Sequence, residues 1–234
     1  MTLRKYIPNT ITSLNLLCGV LGVMFTFNGR PDTAFCLMLA AAALDFLDGL
    51  AARALDAYSD IGKELDSLCD VVSFGVLPSL MLYRTMVYLS DAGIFCCLLL
   101  VLAVFSALRL AKFNVDERQH GSFLGLPTPA AAMVCGSLCC FVFCEPSSAL
   151  ARWCSTVWVL PLLACVLSTL LVSEVPMFAM KFGKGIEVSR ATRIRRICFF
   201  CLALAGVAVA AVFGLHWSLA VLVAFLGYVL VNLI

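Results

Sequence analysis

Residues 32–88 read DTAFCLMLAAAALDFLDGLAARALDAYSDIGKELDSLCDVVSFGVLPSLMLYRTMVY. Two apolar runs, 32–53 and 66–88, flank the short polar break DAYSDIGK at 56–63. Each run has the roughly twenty residues a helix needs to cross the hydrocarbon core of a bilayer. The runs are continuous rather than alternating, which excludes a β-barrel. The composition agrees over the whole chain. Of 234 residues, 63% are hydrophobic and 13% charged, and mean hydropathy is +1.05. A soluble domain is about half apolar and a quarter charged. A water-soluble globule of this size could not hide so much apolar surface. The net charge of +2, without a dominant basic block, excludes a nucleic-acid-binding reading.

Extended outward, the same reading gives about eight spans: 10–29, 32–53, 66–88, 92–112, 128–146, 153–175, 196–213 and 216–234. The expected fold is an all-α polytopic transmembrane bundle. Turn and charge clusters such as NGRPD, NVDERQHGS and KFGKGIEVSRATRIRR separate the spans. The last two are joined by a few residues and form a helical hairpin. Arg4 and Lys5 precede the first apolar run as in a signal peptide, but no small-x-small cleavage site follows, and a first span fits equally well. With the N-terminus inside, Arg4, Lys5, Arg53, Lys63, Arg109, Lys112, Arg118, Lys181, Lys184, Arg190, Arg193, Arg195 and Arg196 fall on the cytoplasmic side. Only Arg30, Arg84 and Arg152 fall opposite. That bias places both termini in the cytoplasm. A single catalytic domain, 1–234, is expected, with a core over 1–175 and a C-terminal hairpin over 196–234.

The thirteen cysteines lie mostly inside apolar runs and read as free buried thiols that pack as small hydrophobes. Cys198 and Cys201 have CxxC spacing but lack a second pair. His120 and His216 stand alone in loops without metal-ligand spacing.

The chemistry concentrates between Asp45 and Asp70. Asp45 and Asp48 share one helix face at i, i+3, and Asp66 and Asp70 share another at i, i+4. The short loop makes the two helices antiparallel neighbours, so four carboxylates converge near one membrane face. An aspartate inside a span costs about 2.5–3.5 kcal/mol on insertion scales, and four together repel unless positive charge compensates them. Arg53 and Lys63 supply part of it. Oxygen-only donors suit hard divalent ions, Mg²⁺ or Mn²⁺. Two such ions balance four carboxylates and still attract phosphate oxygens. Gly49, Ala52 and Gly62 interleave the acids as small residues that permit close approach or helix packing.

The spacing Asp45-x2-Asp48-Gly49-x2-Ala52-Arg53-x8-Gly62-x3-Asp66-x3-Asp70 resembles the signature of the CDP-alcohol phosphotransferases, with every fixed position present. The resemblance implies a six-helix catalytic core in an integral-membrane enzyme, usually a homodimer. In such enzymes an alcohol hydroxyl attacks the phosphorus remote from cytidine, and CMP leaves. By position, the resemblance makes Asp45, Asp48, Asp66 and Asp70 metal ligands and Asp70 the general base. Gly49, Ala52 and Gly62 would leave room for the cytidine. Arg53 and Ser59 would hold the nucleotide or its phosphates, as would Asn9 and Thr12 in IPNTIT.

Further strings resemble the membrane-embedded phosphatidylserine synthases of that family: IPNTITSLNLLCGV (7–20), VVSFGVLPS (71–79), ALRLAKFNVD (107–116), GLPTPAAA (125–132) and LVSEVPMFAMKF (171–182). They imply transfer from CDP-diacylglycerol to L-serine. A compact chain without organelle targeting points to a bacterial inner (cytoplasmic) membrane, and an archaeal membrane fits too. Lys112 departs from the arginine common in relatives and loses its planar fork. Ser73, one turn beyond Asp70, is placed to contact the alcohol or to bond its own helix. Arg109 and Lys112 share a face and can meet the serine carboxylate or the lipid phosphate, or snorkel to headgroups. Pro127 and Pro129 shape the start of span five. The cluster Arg190, Arg193, Arg195 and Arg196 reads as a topogenic, anionic-lipid patch. A sister transferase using glycerol phosphate or inositol phosphate is the near alternative. It should need more basic charge beside the acids than the stretch from Lys63 to Arg109 offers. A cation transporter using the same carboxylates is the remote one, because transporters place such acids at the midplane with broken helices or repeats.

Overall fold

The structure, a computed structural model, describes residues 6–90, 93–115, 123–177 and 190–233. Arg4, Lys5, Arg118, His120, Lys181 and Lys184 lie outside the described residues. The chain is an all-α, multi-pass membrane protein. In order, the helices are α1 (Tyr6–Phe27), α2 (Pro31–Ala54), α3 (Asp60–Asp70), a π-helical turn (Val71–Val76), α4 (Leu77–Leu89), a 3₁₀ segment (Gly93–Leu100), α5 (Val101–Val115), α6 (Thr128–Cys144), α7 (Ala149–Cys154), α8 (Val159–Val172), α9 (Arg190–Phe213) and α10 (Ser218–Leu233). Among the described residues, five continuous helical stretches are long and apolar enough to cross a bilayer: 6–27, 31–54, 60–89, 93–115 and 193–213. Helices α6, α8 and α10 are apolar but shorter.

The bundle has the inside-out pattern a lipid solvent demands. On α1 the buried positions are Pro8, Thr12, Asn15, Gly19, Gly22 and Thr26, a seam of small and polar residues at helical spacing. Leu14, Leu17, Val20 and Met24 point outward. With lipid outside, helices gain nothing by hiding leucines from it and associate through close backbone approach. A Cβ at Gly19 would stand 2.5 Å from Ser73 Oγ and 3.0 Å from Ser73 Cα. Gly19→Ala therefore has to push α1 away from the π turn. It is expected to cost about 1–3 kcal/mol, read as a lower unfolding midpoint in detergent; an unchanged midpoint would refute this packing argument.

Helix α6 is the central post, with 14 of its 17 residues buried. It packs against α2, α4 and α10. Gly136 lets Phe35 and Met38 of α2 close on it. The hairpin α9–α10 joins the bundle through α10 on α6. A two-residue antiparallel clip pairs Phe123–Leu124 with Pro176–Met177. Gly125, at φ +78°, follows it against the carbonyls of Leu171 and Ser173, where no side chain fits.

Three expectations need correction. The third span begins at Asp60, so Gly62 and Asp66 lie inside the helix. The reason is Ser59, whose hydroxyl accepts from the Gly62 amide at 3.0 Å and caps the first turn. The segment 153–175 is not one helix, because α7 stops at Cys154 and α8 starts at Val159. Finally, α2 and α3 make few direct contacts among the described residues. Helix α1 packs on both, and α2 and α3 meet instead through their acids, Asp45 and Asp48 with Asp66.

Candidate active site

The turn between α2 and α3 sets the site. Helix α2 ends in a Schellman arrangement: Ala57 N donates to Ala52 O at 3.0 Å and Asp56 N to Arg53 O at 3.4 Å. Asp56 takes the left-handed conformation at φ 47°, which aspartate tolerates. Ser59 then starts α3. The last turns of α2 and the first turns of α3 therefore face each other at one end of the bundle, with the start of α1 beside them.

A cavity of about 570 Å³ opens between these three ends. It is lined by Pro8, Asn9 and Thr12 of α1, Asp48, Gly49 and Ala52 of α2, and Ala57 to Asp60 with Gly62, Lys63 and Asp66 around the start of α3. Phe46, Leu47, Ile61 and Leu68 stand exposed on the same two helices. Carboxylate oxygens of Asp45, Asp48 and Asp66 lie within 4.8 Å of one another. One oxygen of Asp66 is buried without a hydrogen-bond partner. Three converging carboxylates and an orphaned oxygen are what a hard, oxygen-coordinated cation satisfies. These residues could hold a metal ion.

Helix α1 orients the acids. Thr12 Oγ1 donates to Asp48 Oδ2 at 2.6 Å. Asn15, fully buried, donates from Nδ2 to Asp70 Oδ1 at 3.3 Å. The Asn15 main-chain carbonyl accepts from Ser73 Oγ at 3.1 Å. Sequence reasoning assigned Thr12 to the nucleotide and overlooked Asn15. The signal was available: Asn15 follows Thr12 by three residues, so both lie on one face, and a buried asparagine in an apolar span needs partners.

Most of the expected residues meet here. Asn9, Thr12, Asp48, Gly49, Ala52, Ser59, Gly62 and Asp66 line the cavity, and Asp45 joins its acid cluster. A Cβ at Gly49 would meet open space, so it faces the cavity freely. A Cβ at Gly62 would instead strike Ser59 Oγ at 2.9 Å and Asn9 Oδ1 at 3.1 Å, so this glycine also serves the cap. Lys63 Nζ donates to Asn114 O at 3.2 Å, tying α3 to the end of α5.

Other expected residues do not line this cavity. Asp70 is outside the three-acid group, 8% exposed and held by Asn15. Arg53 is exposed at the last turn of α2 and does not line the cavity. Ser73 is fully buried and bonds α1 rather than its own helix. Arg109 is buried on α5, with its guanidinium 5.1 Å over the Phe113 ring. Lys112 is solvent-accessible and pairs loosely with Glu174 at 3.9 Å.

Residues 5–161 match the CDP-alcohol phosphatidyltransferase family. The chain belongs to that family. It is a membrane-embedded transferase, and its helical core and carboxylates fall within the matched region. Several curated proteins are similar over long stretches. A CDP-diacylglycerol–serine O-phosphatidyltransferase of Bacillus subtilis (strain 168) is 41% identical over 130 residues, covering 55% of this chain and 72% of that protein. One of Mycobacterium bovis is 35% identical over 211 residues, covering 87% and 71%. An archaetidylserine synthase of Methanothermobacter thermautotrophicus is 37% identical over 134 residues, covering 56% of each.

Proposed function

We propose that this chain is a CDP-diacylglycerol–serine O-phosphatidyltransferase, making phosphatidylserine and CMP from CDP-diacylglycerol and L-serine. The observation that carries the reading is the convergence of Asp45, Asp48 and Asp66 at the mouth of a cavity between three helix ends. The names of the similar bacterial and archaeal proteins support serine as acceptor.

Asp45, Asp48, Asp66 and Asp70 would hold two divalent cations, Mg²⁺ or Mn²⁺. When bound, such ions neutralise diphosphate charge and favour loss of the phosphate leaving group. The chain supplies the rest. Thr12 fixes the Asp48 carboxylate and Asn15 fixes Asp70. Asn9, Gly49, Ala52 and Ser59 line the space for the nucleotide. Asp70 takes the proton of the serine hydroxyl as its oxygen bonds to the lipid-side phosphorus. The bond from that phosphorus to the bridging oxygen breaks, and CMP departs with the bridging oxygen. Arg109 and Lys112 add positive charge for the serine carboxylate or the lipid phosphate. The site and both termini face the cytoplasm, following the charge bias, and the unit is one catalytic domain in a homodimer.

The test is CMP release by purified protein given CDP-diacylglycerol with Mg²⁺ or Mn²⁺. Release is expected with L-serine, to be absent with glycerol phosphate or inositol phosphate, and to stop on chelation. Turnover with an anionic phosphate acceptor in place of serine would reassign the enzyme to a sister branch.

A further inference from the structure

Far from the carboxylates, groups of a different chemistry meet. Cys140 and Cys144 stand one turn apart on α6. His216 sits in the turn between α9 and α10, with Nδ1 3.9 Å from Cys140 Sγ. One ligand atom from each of Cys140, Cys144 and His216 lies within 4.8 Å of the others. His216, expected to stand alone, is thus brought beside two of the free thiols. The fold joins positions 76 residues apart, a proximity that linear spacing hides. The place is fixed by Trp217, whose ring stacks on Phe35 of α2 with centroids 5.4 Å apart. Phe35 precedes Asp48 by thirteen residues on one helix, or about 20 Å of rise.

Two thiols and an imidazole form a soft-to-borderline donor set, unlike the carboxylates. Sulfur and nitrogen ligands around a tetrahedral zinc stand ~3.6 Å apart, given Zn–S of about 2.3 Å and Zn–N of about 2.0–2.1 Å. The observed 3.9 Å needs closure by only a few tenths of an ångström. Cys140 is buried, while Cys144 and His216 are half-buried, so the group is sheltered yet reachable. His216 Nδ1 also lies 2.9 Å from Ser218 Oγ and accepts from the Ser218 amide at 3.4 Å. Acceptance leaves Nδ1 unprotonated, the form that binds metal, and an arriving ion displaces the Ser218 contacts. The transferase chemistry uses none of these residues.

We infer that Cys140, Cys144 and His216 form a second metal site, one that takes Zn²⁺ and ties the α9–α10 hairpin to α6. Binding makes two Zn–S bonds and one Zn–N bond and releases two thiol protons to solvent. A fourth position stays open to water. The hairpin otherwise reaches the bundle mainly through α10 on α6, so this is where an added cross-link acts on it.

The test uses the full chain in detergent, reduced, stripped by chelator and titrated with Co²⁺. A thiolate-to-cobalt charge-transfer band is expected to saturate at a single ion per chain and to vanish on adding Zn²⁺. Carboxylate-bound cobalt gives no such band, so the site is read separately from the catalytic acids. Cys144→Ser and His216→Gln are expected to abolish the band, whereas Cys165→Ser, at an exposed thiol of α8, keeps it. In the unaltered protein, Zn²⁺ is expected to slow alkylation of Cys144 but not of Cys165, followed by peptide mass spectrometry. Absence of the band and of this protection in the unaltered protein, or a band that survives both site substitutions, overturns the inference.

Discussion

Asp70→Asn is expected to lower turnover by about 10²–10⁴-fold, the usual contribution of a positioned general base, while CDP binding changes only a few-fold. The split follows from geometry. Asp70 lies outside the group of three acids whose oxygens meet and does not line the cavity. Its carboxylate is held from behind by Asn15. An asparagine keeps the shape and can still pair with Asn15, but it cannot accept the serine proton and is a weaker ligand for a hard cation. Steady-state CMP release beside equilibrium CDP binding checks this. Near-normal turnover would remove Asp70 from proton transfer, and equal loss of binding and turnover would make it a ligand of the nucleotide site only.

Asp66→Asn has two effects of opposite sign. Activity is expected to fall by at least about 10³-fold, because weakening charge neutralisation in phosphoryl transfer costs several kcal/mol. The cation-free protein is expected to become more stable, by on the order of 1 kcal/mol. Carboxylate oxygens within 4.8 Å repel one another in a partly screened setting, and the amide relieves that repulsion. The stabilisation that added Mg²⁺ or Mn²⁺ gives the unaltered protein should shrink accordingly. Thermal unfolding with and without the cation checks both effects. A destabilised cation-free variant would show that Asp66 is held by attractive contacts instead of by the ion.

Much of this was legible in the chain. Helices of about twenty apolar residues leave a composition signal that survives any packing, so the long spans were found to within several residues. The acids were legible because a carboxylate in lipid is costly and four at helical spacing are not accidental. Features that depend on long-range contact were hidden. Nothing local marks Val71–Val76 as π-helical. The clip of Leu124 to Pro176 is two residues long and leaves no alternation to read. The close seat of α1 on the π turn and on α4 depends on Gly19 against Ser73 and Gly22 against Leu77, pairings that no local pattern announces. Asn15 and His216 were passed over for the same reason: the partner of each is supplied by the fold and not by its neighbours in sequence.

Phe46, Leu47, Ile61 and Leu68 are exposed on the two helices that carry the acids, so the diacyl substrate of the proposed reaction would reach those acids sideways, with its tails still in the membrane. The relevant measure of its abundance is then its mole fraction in the bilayer, not its bulk molarity. Adding inert detergent or lipid at fixed total substrate would slow the reaction by surface dilution, while the water-borne acceptor would follow ordinary saturation. One catalyst thus obeys two concentration scales, one two-dimensional and one three-dimensional.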